Sequence, residues 1–131
     1  MDITSSMRTF LLQDAEIATA FGVRIYVVFA PDLETYPFAT INQPPGDSPS
    51  YTQDGEALRE TTIQIDTYDD NLADGIENGK LIREKLTGYK GLMGSIEVGA
   101  IFVIDEFRDW SAEIRRFRLV NRFSVKWSVY E

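Results

Sequence analysis

Between Ile114 and Tyr130 the chain alternates: Phe117, Leu119, Phe123, Val125, Trp127 and Val129 are interleaved with Arg116, Arg118, Arg122 and Lys126. Successive side chains of a β-strand point to opposite faces, so this segment reads as a strand with one apolar and one cationic side. Such a strand is stable only where its apolar side is covered, which suits an antiparallel sheet with one packed face. Asn121 interrupts the apolar side, so a bulge or a buried polar contact is expected there. Ser95 to Phe107 is a second long strand-like run, and the two together require a core built on a sheet.

The remaining segments supply helices and shorter strands. Ile3, Met7, Phe10 and Leu11 recur at helical spacing between Asp2 and Asp14, which predicts an amphipathic helix capped by Thr4, Ser5 or Ser6. Ala15 to Phe21 continues as a short helical turn that Gly22 closes in a left-handed conformation. Val23 to Ala30 is rich in β-branched and aromatic residues and stops at Pro31, while Phe38 to Asn42 is a strand bounded by Pro37 and Pro44. A polar turn at Asp32 to Thr35 lies between them. Leu58 to Tyr68 alternates as a half-buried strand. Asp69 or Asp70 then caps a helix that carries Leu72, Ile76, Gly79, Ile82 and Leu86 on one stripe and ends at Gly88.

From Gln43 to Glu56 there are three prolines, two glycines and no apolar period, so this is a long loop, expected to be mobile in the free protein and ordered in an assembly. The order of elements predicts an α+β fold in two layers, with one mostly antiparallel sheet and both helices packed on one face. A chain of 131 residues fits a single domain, residues 1–131.

Charge narrows the partners. Thirteen Lys and Arg stand against 21 Asp and Glu, a net charge of −8. That balance disfavours non-specific nucleic-acid binding, because phosphate contacts need a basic surface. Residues 111–131 nevertheless carry five bases and two acids, against eight bases and nineteen acids in residues 1–110. A basic strip therefore ends an acidic body. The longest apolar stretches, Ile25 to Ala30 and Ala100 to Ile104, are far shorter than a bilayer span, and Asp2 stands where a signal peptide has basic residues, so no membrane is expected.

With no His and no Cys, triad, thiol and zinc chemistry lack their groups. No glycine spacing fits a phosphate loop. What remains is carboxylates. Asp66, Asp69, Asp70 and Asp74 are the kind of oxygen donors that Mg²⁺ or Ca²⁺ takes, but acids at a helix N-terminus, favourable to its dipole, are the simpler reading. Asp105, Glu106 and Asp109, with Arg108 among them, read as a solvated hairpin turn. A carboxylate-and-lysine nuclease is the best enzyme reading available, and the acidic body counts against it. No catalytic residue, metal or cofactor is assigned. The cationic face of Arg116, Arg118, Arg122 and Lys126 has three readings: it tracks phosphates, it is a plain solvent face that discourages wrong edge pairing, or it meets an acidic surface on another copy. The third ranks above nucleic acid because the acidic body supplies such a surface.

Several local signatures, in this order and spacing, resemble the tail completion or tail terminator proteins of long-tailed bacteriophages over nearly the whole chain. They are Gly22-Val23-Arg24-Ile25-Tyr26, Tyr36-Pro37-Phe38, Ile63-Gln64-Ile65-Asp66-Thr67-Tyr68 and Leu86-Thr87-Gly88-Tyr89-Lys90-Gly91. The acidic segment Asp105-Glu106-Phe107-Arg108-Asp109-Trp110 and the closing run from Arg118 to Trp127 complete the set. The long loop and Asn121-Arg122, where an acidic residue is expected, depart from the pattern.

The resemblance implies a non-enzymatic virion protein, assembled in the host cytoplasm, that forms a ring, typically of six copies, on the head-proximal end of the tail. Its implied partners are further copies of itself, the tail tube protein and the head-tail connector or head-closure protein. DNA would pass through the bore without specific binding, repelled by an acidic wall. A head-closure or adaptor role at the same junction is the nearest alternative; a small metal-dependent phage nuclease and a cellular α+β binding module come from other classes. The candidate subunit or partner contacts are Arg116, Arg118, Arg122, Lys126, Asp105, Glu106, Asp109 and Trp110, with Pro44, Pro45 and Tyr51 on the long loop.

Overall fold

The structure, a computed structural model, describes residues 3–28, 30–31, 35–44 and 59–129. In chain order its elements are α1 (Ile3–Leu12), α2 (Ala15–Phe21), β1 (Ile25–Val27), β2 (Phe38–Asn42), β3 (Arg59–Asp69), α3 (Leu72–Leu86), β4 (Gly91–Met93), β5 (Ile96–Ser111) and β6 (Arg116–Val129). The strands form one six-stranded sheet in the order β1-β2-β3-β6-β5-β4. The turn expected at Asp32 to Thr35 falls largely outside the described residues, as do most of the long loop and the candidate contacts Pro45 and Tyr51.

The expected mostly antiparallel sheet with two helices on one face is not what forms. The sheet is mixed and curled into a half-barrel, it carries three helices, and strand makes up nearly half of the described residues. The mixed character comes from β1, which pairs parallel to β2. Val28 leaves the strand at a φ of 68°, and Ala30 is buried beside Phe38, Thr40 and Asp66 on the side of the sheet away from the helices. Ala30 thus lies over that outer face, and β2 runs in the same direction as β1, where a tight turn would have made an antiparallel hairpin.

The curl follows from α1. A flat sheet of six strands is roughly 24 Å wide at about 4.8 Å per strand, and a helix is about 10 Å across. Yet α1 touches β1 and β2 near one edge and β4 at the other. The strands must wrap around the helices for one helix to reach both sides. The core fills that concavity: Met7 and Leu11 of α1, Ile17 and Phe21 of α2, and Ile82 and Leu86 of α3 meet Ile25, Ile41, Ile63, Ile65, Ile101, Phe123 and Val125 of the strands.

Local chemistry sets the boundaries. Asp14 accepts from the backbone N–H of Glu16 and Ile17 and so caps α2, and Gly22 closes that helix at a φ of 63°. The cap of α3 is Asn71, not Asp69 or Asp70; Asp69 instead accepts from Asn71 N at 3.1 Å and supports the cap from below. On β3, Thr61, Ile63, Ile65 and Thr67 are buried as the alternation requires. Asn121 is buried and donates from Nδ2 to Gly79 O at 3.3 Å, the polar contact expected there.

Two features differ from the sequence reading at the far end of the sheet. Asp105 to Trp110 is not a turn but the distal half of β5, in register with Arg122 to Phe117. The reversal comes at residues 112–115, where Arg115 has a φ of 59° and donates from its N–H to Ser111 O at 2.7 Å. Cross-strand opposite charges favour continuation of the ladder through the acidic segment. The short strand β4 is the second addition; its residues Gly91-Leu92-Met93 offer too little alternation to be read locally.

Candidate assembly surface

On β6 the even-numbered residues face away from the helices. Arg118 stands opposite Tyr68 on β3 and Asp109 on β5, and Arg122 opposite Gln64 and Asp105. Most of the cationic face is engaged inside the molecule. Arg118 donates to Asp66 Oδ2 from Nε at 3.2 Å and from Nη2 at 3.1 Å, and to Asp109 from Nη1 at 3.4 Å. Arg122 lies 3.8 Å from Asp105 and over the Phe107 ring. The Arg116 guanidinium sits 4.0 Å from the Tyr36 ring centroid, and Lys126 is exposed opposite Glu60.

Asp66 is buried at 4% exposure and also accepts from Gln64 Nε2 at 2.9 Å. Burial pulls the Arg118 pKa down, but the charge and hydrogen bonds of Asp66 outweigh it and hold the guanidinium above its ordinary value. Burial, then the Asp66 charge, pushes the neighbouring Tyr68 hydroxyl upward. Tyr68 stacks on Phe38 at 4.8 Å, and Phe38 on Tyr36 at 6.0 Å, which extends an aromatic row across this face.

The distal half of β5 is the most open part of the sheet. β6 flanks β5 along its length, but β4 pairs only with Ile96 to Val98 on the other side. Gly88 N donates to Ile101 O at 3.0 Å. From Phe102 to Ser111 no other described strand pairs with this half of β5. Its large apolar side chains are exposed: Phe102 55%, Ile104 52%, Phe107 42% and Trp110 52%. Two bulges, at Val98/Ala100 and Val103/Asp105, create this surface by switching which residues face inward. Ile104 is the extra residue of the second bulge, and beyond it Phe107 turns outward.

Beside this edge, Ile76, Gly79, Lys80 and Arg83 of α3 and Glu106, Phe107 and Arg108 of β5 line a cleft of about 140 Å³ with Leu119 among its apolar residues. Arg83 pairs with Glu106 at its mouth, and Arg108 is exposed. On the opposite flank of α3, Asp69, Asp70, Asp74 and Glu77 line an acidic cleft of about 320 Å³ with Tyr36 and Pro37. Asp69 is buried there and accepts from Asn78 Nδ2 at 3.1 Å; burial pushes its carboxyl above the usual carboxylate range.

Of the residues expected at a contact surface, the structure gathers Arg116, Arg118, Arg122, Lys126, Asp105 and Asp109 on the outer face of β5 and β6. It puts Glu106 against α3 and Trp110 edge-on to Phe117 at 5.0 Å. Pro44, directly after β2, lies across the sheet from them. Asp66 and Asp69 face opposite sides of β3, and among the described residues no group of three or more Asp or Glu is placed to hold a metal ion. No helix among these residues is long and apolar enough to cross a membrane. Phe102, Ile104, Lys80 and Arg83 were not among the residues expected from the sequence, whereas Phe107 and Arg108 lie within the acidic segment singled out there. One signal was available: inward apolar positions shift from even (Ile96, Val98) to odd (Ile101, Val103), a change of phase that marks a bulge.

This curled mixed sheet recurs in a solved structure. A chain from the virion of a native gene transfer agent particle shares it with a TM-score of 0.80 at 12% identity, over 96% of this chain and 94% of that one. No curated protein sequence matches the chain. The family model for tail completion protein gp17 matches residues 5–126. The chain belongs to that family, and it is a structural protein of the virion tail.

Proposed function

We propose that the chain closes the head-proximal end of the tail tube as a ring of six copies, ends tube polymerisation there and offers a surface to the head connector or head-closure protein. The open distal half of β5 carries this reading. A strand edge with no partner among the described residues, bearing exposed Phe102, Ile104, Phe107 and Trp110, is a template for association, which soluble monomers normally avoid or cover. In a virion protein, a neighbour in the particle covers it. A closed ring needs two different patches on each copy that meet after a fixed rotation, and the cationic and acidic flanks of α3 are two such patches. The outer-face residues Arg122 and Lys126, one strand in from the open edge on β6, contribute to the same contact. The net charge of −8 suits a bore that passes DNA without binding it, since an acidic wall repels phosphate.

Native mass measurement of the full chain, alone and mixed with tail tube protein, tests this reading together with tube lengths by electron microscopy. A mass of six copies and tubes of limited length are expected. A monomeric mass in both samples, with tubes that keep growing, sinks it.

A further inference from the structure

We infer that the cleft beside the open edge of β5 receives a second copy of this chain, which presents the acidic flank of its α3. This deepens the ring reading and rests on it. The two lateral edges of the sheet are not equivalent. At β1 the guanidinium of Arg8 donates from Nε to Ile25 O at 2.5 Å and from Nη2 to Val23 O at 3.3 Å, so part of that edge is already occupied. The sheet of one copy does not simply continue through β1 of the next. Among the described residues the distal edge of β5 has no strand partner beyond β6, and the side chains around it decide what fits.

Those side chains are matched in charge with one exception. Asp105, Glu106 and Asp109 face Arg122, Arg83 and Arg118, respectively. Arg108, exposed on the rim of the cleft near Lys80, has no ion-pair partner among the described residues. The cleft is thus cationic in a chain whose net charge is −8, and two copies repel over most of their surfaces. Here an acidic surface of a second copy is attracted, and electrostatic complementarity of this kind fixes register and speeds encounter.

The complementary surface is on the same molecule but cannot fold onto the cleft. Asp70, Asp74 and Glu77 are exposed on the flank of α3 that faces Tyr36 and Pro37, whereas Lys80 and Arg83 line the flank that faces β5. One helix separates the two, so contact between them is possible only from copy to copy, head to tail. Apolar groups accompany the charges on both sides: Ile76 and Leu119 in the cationic cleft, Tyr36 and Pro37 in the acidic one.

The test uses the full-length chain in sedimentation velocity at low salt. Arg108→Glu and, separately, Glu77→Lys each weaken self-association by roughly tenfold, and the double variant Arg108→Glu/Glu77→Lys regains it because every junction again joins opposite charges. Both positions are exposed, so thermal melts matching the parent confirm that folding is intact. Ile104→Lys, which puts a charge on the bare edge, weakens association by a route that the charge exchange does not rescue. Single variants that assemble like the parent, or a double variant that does not recover, overturn this inference while the ring stands. A parent that stays monomeric with and without tube protein overturns both.

Discussion

Arg118 ties the strands of the outer face together. It carries the only guanidinium bonded to buried Asp66 among the described residues, and it reaches exposed Asp109 as well. Arg118→Met removes the countercharge of buried Asp66 and leaves it the Gln64 amide as a donor, so a loss of roughly 2–4 kcal/mol is expected in urea denaturation. Arg118→Lys should lie between the two, because an ammonium cannot reproduce the two-pronged donation. A Met variant that unfolds with the parent midpoint would show that the ion pair carries no stability. Charge removal at Arg118 therefore does not isolate an interface effect. Charge removal at Arg108 or Lys126 does.

Asp14 supports the second residue-scale expectation. The hydrogen bond from Ile17 N, with help from the Lys85 charge, holds its carboxyl below the usual carboxylate range despite some burial. A folded pKa below the unfolded one means stability that is present above the unfolded pKa and lost as pH falls through the folded pKa. Asp14→Ala should lose about 1 kcal/mol at pH 7, as for other N-caps, and the gap to the parent should close in acid. Asp14→Asn keeps a capping oxygen and should show a smaller loss with a flatter pH profile. An Ala variant whose deficit persists unchanged at pH 2 would exclude the charge from the cap's effect. Asp69 acts in the opposite sense: its raised pKa makes its contribution least favourable above that value and better on acidification.

At the scale of elements, the seating of α3 on β6 sets the geometry of the assembly surface. A Cβ on Gly75 would lie 2.9 Å from Leu119 Cδ1 and 3.3 Å from Asp69 Cβ, so the helix comes close to the sheet there. One turn later, a Cβ on Gly79 would meet Asn121 Nδ2 at 3.7 Å and Leu119 at 3.7 Å, which is ordinary contact. Helical Gly79→Ala should therefore raise stability by about 1 kcal/mol, the propensity difference between the residues. Chemical denaturation checks it, and a destabilised variant would show that the Asn121 to Gly79 hydrogen bond needs the bare backbone. On the other side of the cleft, β5 gains its exposed face from two bulges. Without the second, Phe107 would point inward and Glu106 outward, and the Arg83–Glu106 pair could not form.

For the whole molecule, what the sequence determined by itself is what depends on neighbours along the chain. The alternation of β6 and β3, the helical spacing of α1 and α3, and the buried polar role of Asn121 follow from backbone geometry at short range. The lack of His and Cys limits the chemistry before any fold is known, and the ordered local signatures were enough for the family resemblance. The tertiary structure decided which strands meet, and that is where the expected architecture failed. Parallel pairing of β1 with β2, the addition of β4 and the curl that brings α1 to both sides depend on contacts between segments far apart in the chain. The candidate surface divides the same way. Arg118, Arg122, Asp105 and Asp109 were legible as charges on a strand, but their pairing was not: Arg118 and Asp66 are 52 positions apart. Openness of the β5 edge is a property of the whole sheet, because it depends on how far β4 extends alongside. A residue's face on a strand is set by its two neighbours, whereas its exposure is set by everything that packs against it.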